Sequence, residues 1–270
     1  MSVPAAVPSA VPKAPARSLV QRAPDLLLWG GVIVLLLIGF KPVEMSHFTK
    51  LFTNSENMRE YGRELLKPDF SNLSLYVAQM WLTVQIALWG TFLAVVIAIP
   101  FGLACARNVS PPWIQQPMRL LMNLLRSVPD LVVGTLFLVA VGPGPFAGVM
   151  ALTINTGAVL AKLFSEAVES IDKGPVEGVR ATGASPLHEV VWGVIPQVAP
   201  LWTSYALYRF ESNSRSATVL GLIGAGGIGQ LLFDAINGFA YHSLSAIVIV
   251  IIVAVTLIDF LSQVIRSRLL

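Results

Sequence analysis

Six long apolar runs alternate with short polar interruptions along this chain, and the pattern predicts helices. The runs extend from Asp25 to Phe40, from Tyr76 to Ala104, from just before Arg126 to Val141, from Phe146 to about Val168, from Val194 to about Ser216 and from Ser243 to Val264. Crossing a hydrocarbon layer of roughly 30 Å takes about 20 helical residues, so each run reads as a membrane span, the first being short. The runs are uniformly rich in Leu, Val, Ile and Ala and lack the alternating polarity of a membrane β-barrel. The fold class expected is therefore all-α, a polytopic membrane protein with about six transmembrane helices. Composition agrees: 55% of the 270 residues are hydrophobic and 12% charged, against about a quarter charged in soluble domains. Mean hydropathy is +0.72.

Charge then orients the spans. Residues 1–24 carry Lys13, Arg17 and Arg22 with no acid and read as a disordered basic tail on the cytoplasmic side. After the first span at 25–40, residues 41–75 mix Glu56, Arg59, Glu60, Arg63 and Glu64 at helical spacing, which suits an extracytoplasmic solvated segment. Residues 76–270 form the main transmembrane domain. Arg107, Arg119 and Arg126 mark a cytoplasmic loop, and Arg266 and Arg268 put the C-terminus on the same side. Two cytoplasmic termini require an even number of spans. Pro129 predicts a kink in the third span, and the uncharged Gly142 to Pro145 predicts an outer turn. Gly221 to Gly238 reads as a partial helix or re-entrant turn buried in protein.

The polar island from Glu177 to Pro196, within a cytoplasmic loop at 170–196, has its own helix punctuation. Gly174 can end the preceding helix, and Pro175 suits a first helical turn. Gly183 offers a second stop. Ser185 and Pro186 look like an N-cap and N1 proline, so a new helix starts there and runs into Val190, Val191 and Trp192. A small helix exposed between spans is shaped to be gripped from outside the membrane.

Ionisable groups inside spans are costly unless they are paired or face water. Arg126 lies in the third span. Arg209, Glu211 and Arg215 lie in the fifth, near mid-membrane or beyond when counted at about 1.5 Å per residue from Val194. Arg209 and Asn213 share one helix face, with no obvious acid on it. Glu211 and Arg215 share another, as pathway groups or as a structural ion pair. Asn155 is a weaker pathway candidate, since polar residues also join helices. Asp259 and Arg266, seven apart, suggest a pair at a helix end. His188 and His242 read as solvated. Gly224, Gly226, Gly227 and Gly229 spell G-x-G-x-x-G, but no βαβ unit surrounds them, so close packing and a bend, a candidate gate, replace a dinucleotide site. The single Cys105 excludes an intrachain disulfide, no metal cluster is visible, and a scattered net charge of +3 gives no nucleic-acid surface.

The polar island resembles the EAA loop of permease subunits in ATP-binding cassette importers: Glu177, a glycine six positions later at Gly183, and the closing Ile195-Pro196 hold the family's places. Gly178 and Val179 depart from its usual alanines. YRFESNSRSAT from Tyr208 to Thr218, the glycine run, and GPVEGVRATGA from Gly174 to Ala184 are similar to phosphonate permeases of the PhnE type. The resemblance implies a type I, MetI-like fold in the bacterial cytoplasmic membrane. It implies a homodimer bound to two ATPase subunits and supplied by an extracytoplasmic phosphonate-binding protein. Glu177, Gly178, Arg180, Ala181, Thr182, Gly183 and Pro196 would then couple to the ATPase. The chain would be no enzyme and hold no cofactor; it has no Walker lysine motif, and ATP and Mg would bind the partner ATPase. An anionic solute needs positive potential without a tight trap, for which Arg209, Arg215 and Arg126 are the candidates. Three alternatives stay open: an importer of the same superfamily for phosphite, a phosphate ester or an amino acid; a proton-coupled carrier in which Glu211 titrates; and a purely structural subunit.

Overall fold

The structure, a computed structural model, describes residues 19–53 and 55–269; the tail reading for residues 1–18 lies outside them. The chain divides into two units at Glu60 and Tyr61. In the first, α1 (Leu19–Gly39) precedes a 3-10 turn at Met45–Thr49, the single turn α2 (Lys50–Thr53) and the start of α3 (Ser55–Leu65). α1 begins before Asp25, so the helix takes in the end of the segment read as tail. Its apolar part, Leu27–Gly39, is shorter than a full span.

The second unit continues with α4 (Leu73–Cys105), α5 (Pro112–Ser127), α6 (Asp130–Val141), α7 (Pro145–Glu169) and α8 (Lys173–Ala181). The short α9 (Pro186–His188) runs through a π-helical turn, Glu189–Val194, into α10 (Ile195–Leu220). A second π turn, Gly221–Ala225, leads to α11 (Ile228–Asn237) and α12 (Tyr241–Leu269). The described residues contain no strand. α4, α7 and α12 are long and apolar enough to cross a membrane unbroken, and two further crossings are bent pairs. Taking each bent pair as one span gives up to five crossings, and α1 is too short by this measure to add a sixth.

α7 is the centre of this unit. Of its most apolar window 61% is buried, against 39% for α4 and 17% for α12, so α12 is the least covered of the three within the chain. Small residues let α4 and α7 approach closely. A Cβ on Gly90 would lie 2.7 Å from that of Leu152, and one on Gly102 would lie 2.8 Å from that of Phe164.

Both bends have local causes. At Pro129 the expected kink is a full break: α5 and α6 meet at 86°. The residue before a proline is pushed out of the helical region, and Val128 and Pro129 are both extended, with ψ of 124° and 144°. The second bend, 58°, falls in the glycine run. Gly224, Gly226 and Gly227 have φ of +106°, +78° and +74°, a region that glycine enters without steric cost. A Cβ on Gly229 would stand 1.9 Å from the Thr218 carbonyl oxygen. Gly229→Ala is therefore expected to destabilise the chain by about 1–3 kcal/mol through overpacking. Thermal unfolding in detergent measures this, and an unshifted midpoint would rule out the close approach.

Two contacts fix the ends of these helices. His242, at the start of α12, is held at its Nδ1 by the carbonyls of Glu64 (3.2 Å) and Lys67 (3.0 Å). The Gly144 N–H donates to the Gly224 carbonyl (3.0 Å), so the turn before α7 meets the glycine bend.

Candidate functional site

The polar island folds as a clamped helix. Asp172 caps α8, its Oδ1 accepting from the Gly174 N–H at 3.0 Å, which satisfies one of the free donors of a helix start. Gly174 thus lies in the first turn of α8 rather than ending α7, which closes at Glu169 with Ser170 as its cap. The expected stop at Gly183 is present, with φ of +76°. Ser185 and Pro186 start α9, and the Ser185 hydroxyl meets His188 Nδ1 at 2.7 Å.

Two braces tie α8 back to the helix that follows. At its beginning, Gln197 bonds the Asp172 N–H and carbonyl, both at 3.2 Å, and donates to the Gly193 carbonyl at 2.6 Å. At its end, Arg180 grips Glu189 with two hydrogen bonds of 2.9 and 2.7 Å. Those bonds hold the Glu189 carboxyl below the usual carboxylate range. A Cβ on Gly193 would come within 3.0 Å of Val176 Cα, so the helices nearly touch between the braces. Glu177, Gly178, Ala181, Thr182, Gly183 and Pro196 are exposed. A methyl on Gly178 meets nothing within 4 Å, so the family's usual alanine fits there. Arg180 is an internal brace as well as a surface residue.

α10 runs on from this clamp to the polar residues of its middle turns. Arg209 lies fourteen residues past Ile195, about 21 Å along the helix. On its face four side chains form one directed chain. The Thr91 hydroxyl donates to the Ala87 carbonyl (2.7 Å), and its oxygen accepts from Asn213 Nδ2 (2.8 Å). Asn213 Oδ1 accepts from the Thr156 hydroxyl (2.9 Å), whose oxygen accepts from Arg209 Nη2 (3.3 Å). Thr91, Thr156 and Asn213 are buried, joining α4, α7 and α10. Arg209 is half-buried, and its Nε is buried without a hydrogen-bond partner among the described residues. One of its five guanidinium N–H donors is thus spent, and the Nε–H is closed off from solvent. Among the described residues no acid forms an ion pair with Arg209. Asn155 Nδ2 donates to the Val128 carbonyl (3.1 Å) and pins the break between α5 and α6.

The other face of α10 is neutralised. Glu211 meets Arg266 at 3.1 Å and Arg215 at 3.5 Å, and Arg215 also meets Asp259 at 3.2 Å. Asp259 and Arg266 therefore pair across to α10, not with each other. Glu211 is level with the last turns of α12, whose Arg266 it meets. Arg126, in the last turn of α5, is exposed. A cavity of about 600 Å³ near α5, lined by Arg107, Gln115, Arg119 and Asn123 among others, shares no residue with the Arg209 group. Its Arg119 is already engaged by Glu169.

Thr91, Thr156, Asp172, Glu189 and Gln197 were not singled out in the sequence. Opposite charges at Arg180 and Glu189 on the two sides of Gly183 were a readable sign of the brace; a lone threonine in an apolar run, as at Thr91, gives none.

Residues 98–270 match the family described as binding-protein-dependent transport system inner membrane component. The chain is 38% identical over 221 residues to the phosphite transport system permease protein PtxC of Stutzerimonas stutzeri, covering 82% of this chain and 80% of that one. It is 60% identical over 119 residues to PhnE2 of Escherichia coli K12, named a cryptic phosphonate transport system permease protein, covering 44% of this chain and 98% of that one. Its fold is similar to a solved inward-facing structure of the MetNI methionine ABC transporter, with a TM-score of 0.66 at 22% identity, over 74% of this chain and 99% of that one.

Proposed function

The chain belongs to the family of binding-protein-dependent inner-membrane transport components, and from that premise we propose that it carries phosphonate across the cytoplasmic membrane, driven by a separate ATPase. It is an ABC importer permease subunit of the PhnE type with an all-α, MetI-like fold. Two copies would form the channel, bind two ATPase subunits through α8 and receive solute from an extracytoplasmic binding protein. ATP and Mg belong to the ATPase, and both termini of this chain face the cytoplasm.

The observation that carries the solute assignment is Arg209, positioned by the Thr91–Asn213–Thr156 chain with its Nε buried and unpartnered. A guanidinium fork pairs two N–H groups with two oxygens of a phosphorus oxyanion. Glu211, Arg215 and Asp259 serve assembly, since their charges cancel against one another and Arg266. Alternating access follows from mechanics: closure of the ATPase pair moves α8, and the braces at Gln197 and Glu189 pass the motion into α10 and so to Arg209. The bend at Gly224 to Gly229 supplies the gate.

Phosphite is the second reading, favoured by the phosphite-named relative that aligns with 82% of this chain. It presents the same oxyanion edge. Reconstitution of the permease with its ATPase and binding protein in proteoliposomes tests both. ATP-dependent uptake of methylphosphonate is expected, with phosphite competing more weakly. Stronger competition by phosphite reverses the two readings. Uptake without ATP would make the chain a secondary carrier, and no uptake at all would leave it a structural subunit.

A further inference from the structure

We propose that the cavity of about 600 Å³ beside α5 seats the phosphate headgroup of an anionic phospholipid. Its lining offers the guanidinium groups of Arg107 and Arg119 and the amides of Gln115, Gln116 and Asn123, and no carboxylate is among the lining residues. Gln115 is only 8% exposed, yet its side-chain amide makes no hydrogen bond among the described residues. A buried amide left without a partner is costly, and an oxyanion in the cavity would accept from it. The guanidinium of Arg107 is likewise engaged by none of the described residues. Arg119 gives its Nε to the Cys105 carbonyl at 2.8 Å and its Nη2 to Glu169, which leaves Nη1 unengaged. The Arg107 N–H donates to the same Glu169 Oε1 at 2.7 Å. One carboxylate outside the lining thus fixes the frame that carries both arginines.

The surroundings favour a lipid over a free ion. The cavity lies where the chain leaves α4, a helix long and apolar enough to cross the membrane, and so at a membrane surface. That surface is the cytoplasmic one in the orientation proposed above, on which the choice of leaflet rests. Trp113, Leu120 and Leu124 are exposed on one face of α5, and Leu120 also lines the cavity. Tryptophan belongs at headgroup level, and basic pockets between spans on the cytoplasmic side take anionic headgroups. A free phosphate would meet the donors and leave the apolar strip bare. A phospholipid covers both, its phosphate on the arginines and its upper chain along α5.

The test is native mass spectrometry of the purified permease–ATPase complex, titrated in turn with palmitoyl-oleoyl phosphatidylglycerol and with phosphatidylcholine of the same chains. Phosphatidylglycerol is expected to be retained about tenfold better. Arg107→Gln should weaken its binding about fivefold, the worth of one arginine at an anionic surface, and Asn123→Asp, which puts a carboxylate into the lining, should weaken it further. Arg107→Lys keeps the charge and most of the binding. Arg268→Gln, which removes an exposed charge outside the cavity, should change nothing. Equal retention of the two lipids, or equal losses for Arg107→Gln and Arg268→Gln, overturns the proposal. Inorganic phosphate that displaces phosphatidylglycerol at equal concentration makes the cavity a site for a soluble ion and overturns the lipid occupant. A change in the number of permease copies in Arg107→Gln, with lipid retention unchanged, assigns the face to a second copy and overturns it as well.

Discussion

Arg209→Gln is expected to lower ATP-driven uptake by about 30- to 150-fold while the ATPase still co-purifies with the permease. Two charge-assisted hydrogen bonds to a bound oxyanion contribute about 1.5–3 kcal/mol each. Glutamine recovers part of that through one neutral bond, which leaves a net loss of about 2–3 kcal/mol, and each 1.4 kcal/mol is about tenfold. Assembly is spared because Arg209 contributes only a 3.3 Å bond to Thr156, whereas Asn213, Thr156 and Thr91 bond one another without it. Arg209→Lys separates charge from geometry: it keeps the positive field and loses the fork, so its uptake should fall between the two. Uptake equal to the native chain for Arg209→Gln would remove this residue from the solute path.

The faces of α10 were legible before the structure was. Helical spacing separated Arg209 and Asn213 from Glu211 and Arg215, and the first pair does face α7 and α4 while the second faces α12. Lipid makes this possible, because it demands uniformly apolar runs and leaves each polar residue conspicuous. Gly183, Ser185 and Pro186 were equally plain, since a left-handed residue and a helix start leave local marks. Partners across the fold left none. Asn213 reaches Thr91 over 122 residues of chain, and Arg215 takes Asp259, not Glu211 alone, because α12 packs there. Gly174 misled for a local reason: a glycine after a helix resembles a cap, but Asp172 two residues earlier had already begun the next one.

The breaks divide in the same way. Pro129 announced a disturbance, yet its size depended on Val128 also turning extended and on Asn155 holding that carbonyl. The glycine run announced a bend, and its sharpness came from Thr218 and Thr83 approaching Gly229 and Gly227 too closely for any side chain. What the sequence could not supply was the joining of parts. The braces at Gln197 and Glu189 tie α8 to α10, so that the helix proposed to couple and the arginine proposed to meet the solute are joined through α10.

Gly183 gives the strongest test of that joint. It adopts φ of +76°, and a Cβ added to it meets nothing within 4 Å of this chain. A side chain there therefore acts in only two ways, by straining the backbone or by meeting a partner. The two are separable, because asparagine tolerates the left-handed region and a β-branched residue does not. Gly183→Asn should leave α8 and the Arg180–Glu189 brace intact and the thermal midpoint unchanged, yet reduce co-purification of the ATPase at least tenfold. Gly183→Val should do the same and also destabilise the loop by about 1–3 kcal/mol. If Gly183→Asn binds the ATPase normally and transports at the native rate, the open space over Gly183 is solvent, and α8 must grip its partner through Glu177 and the face around Ala181 alone.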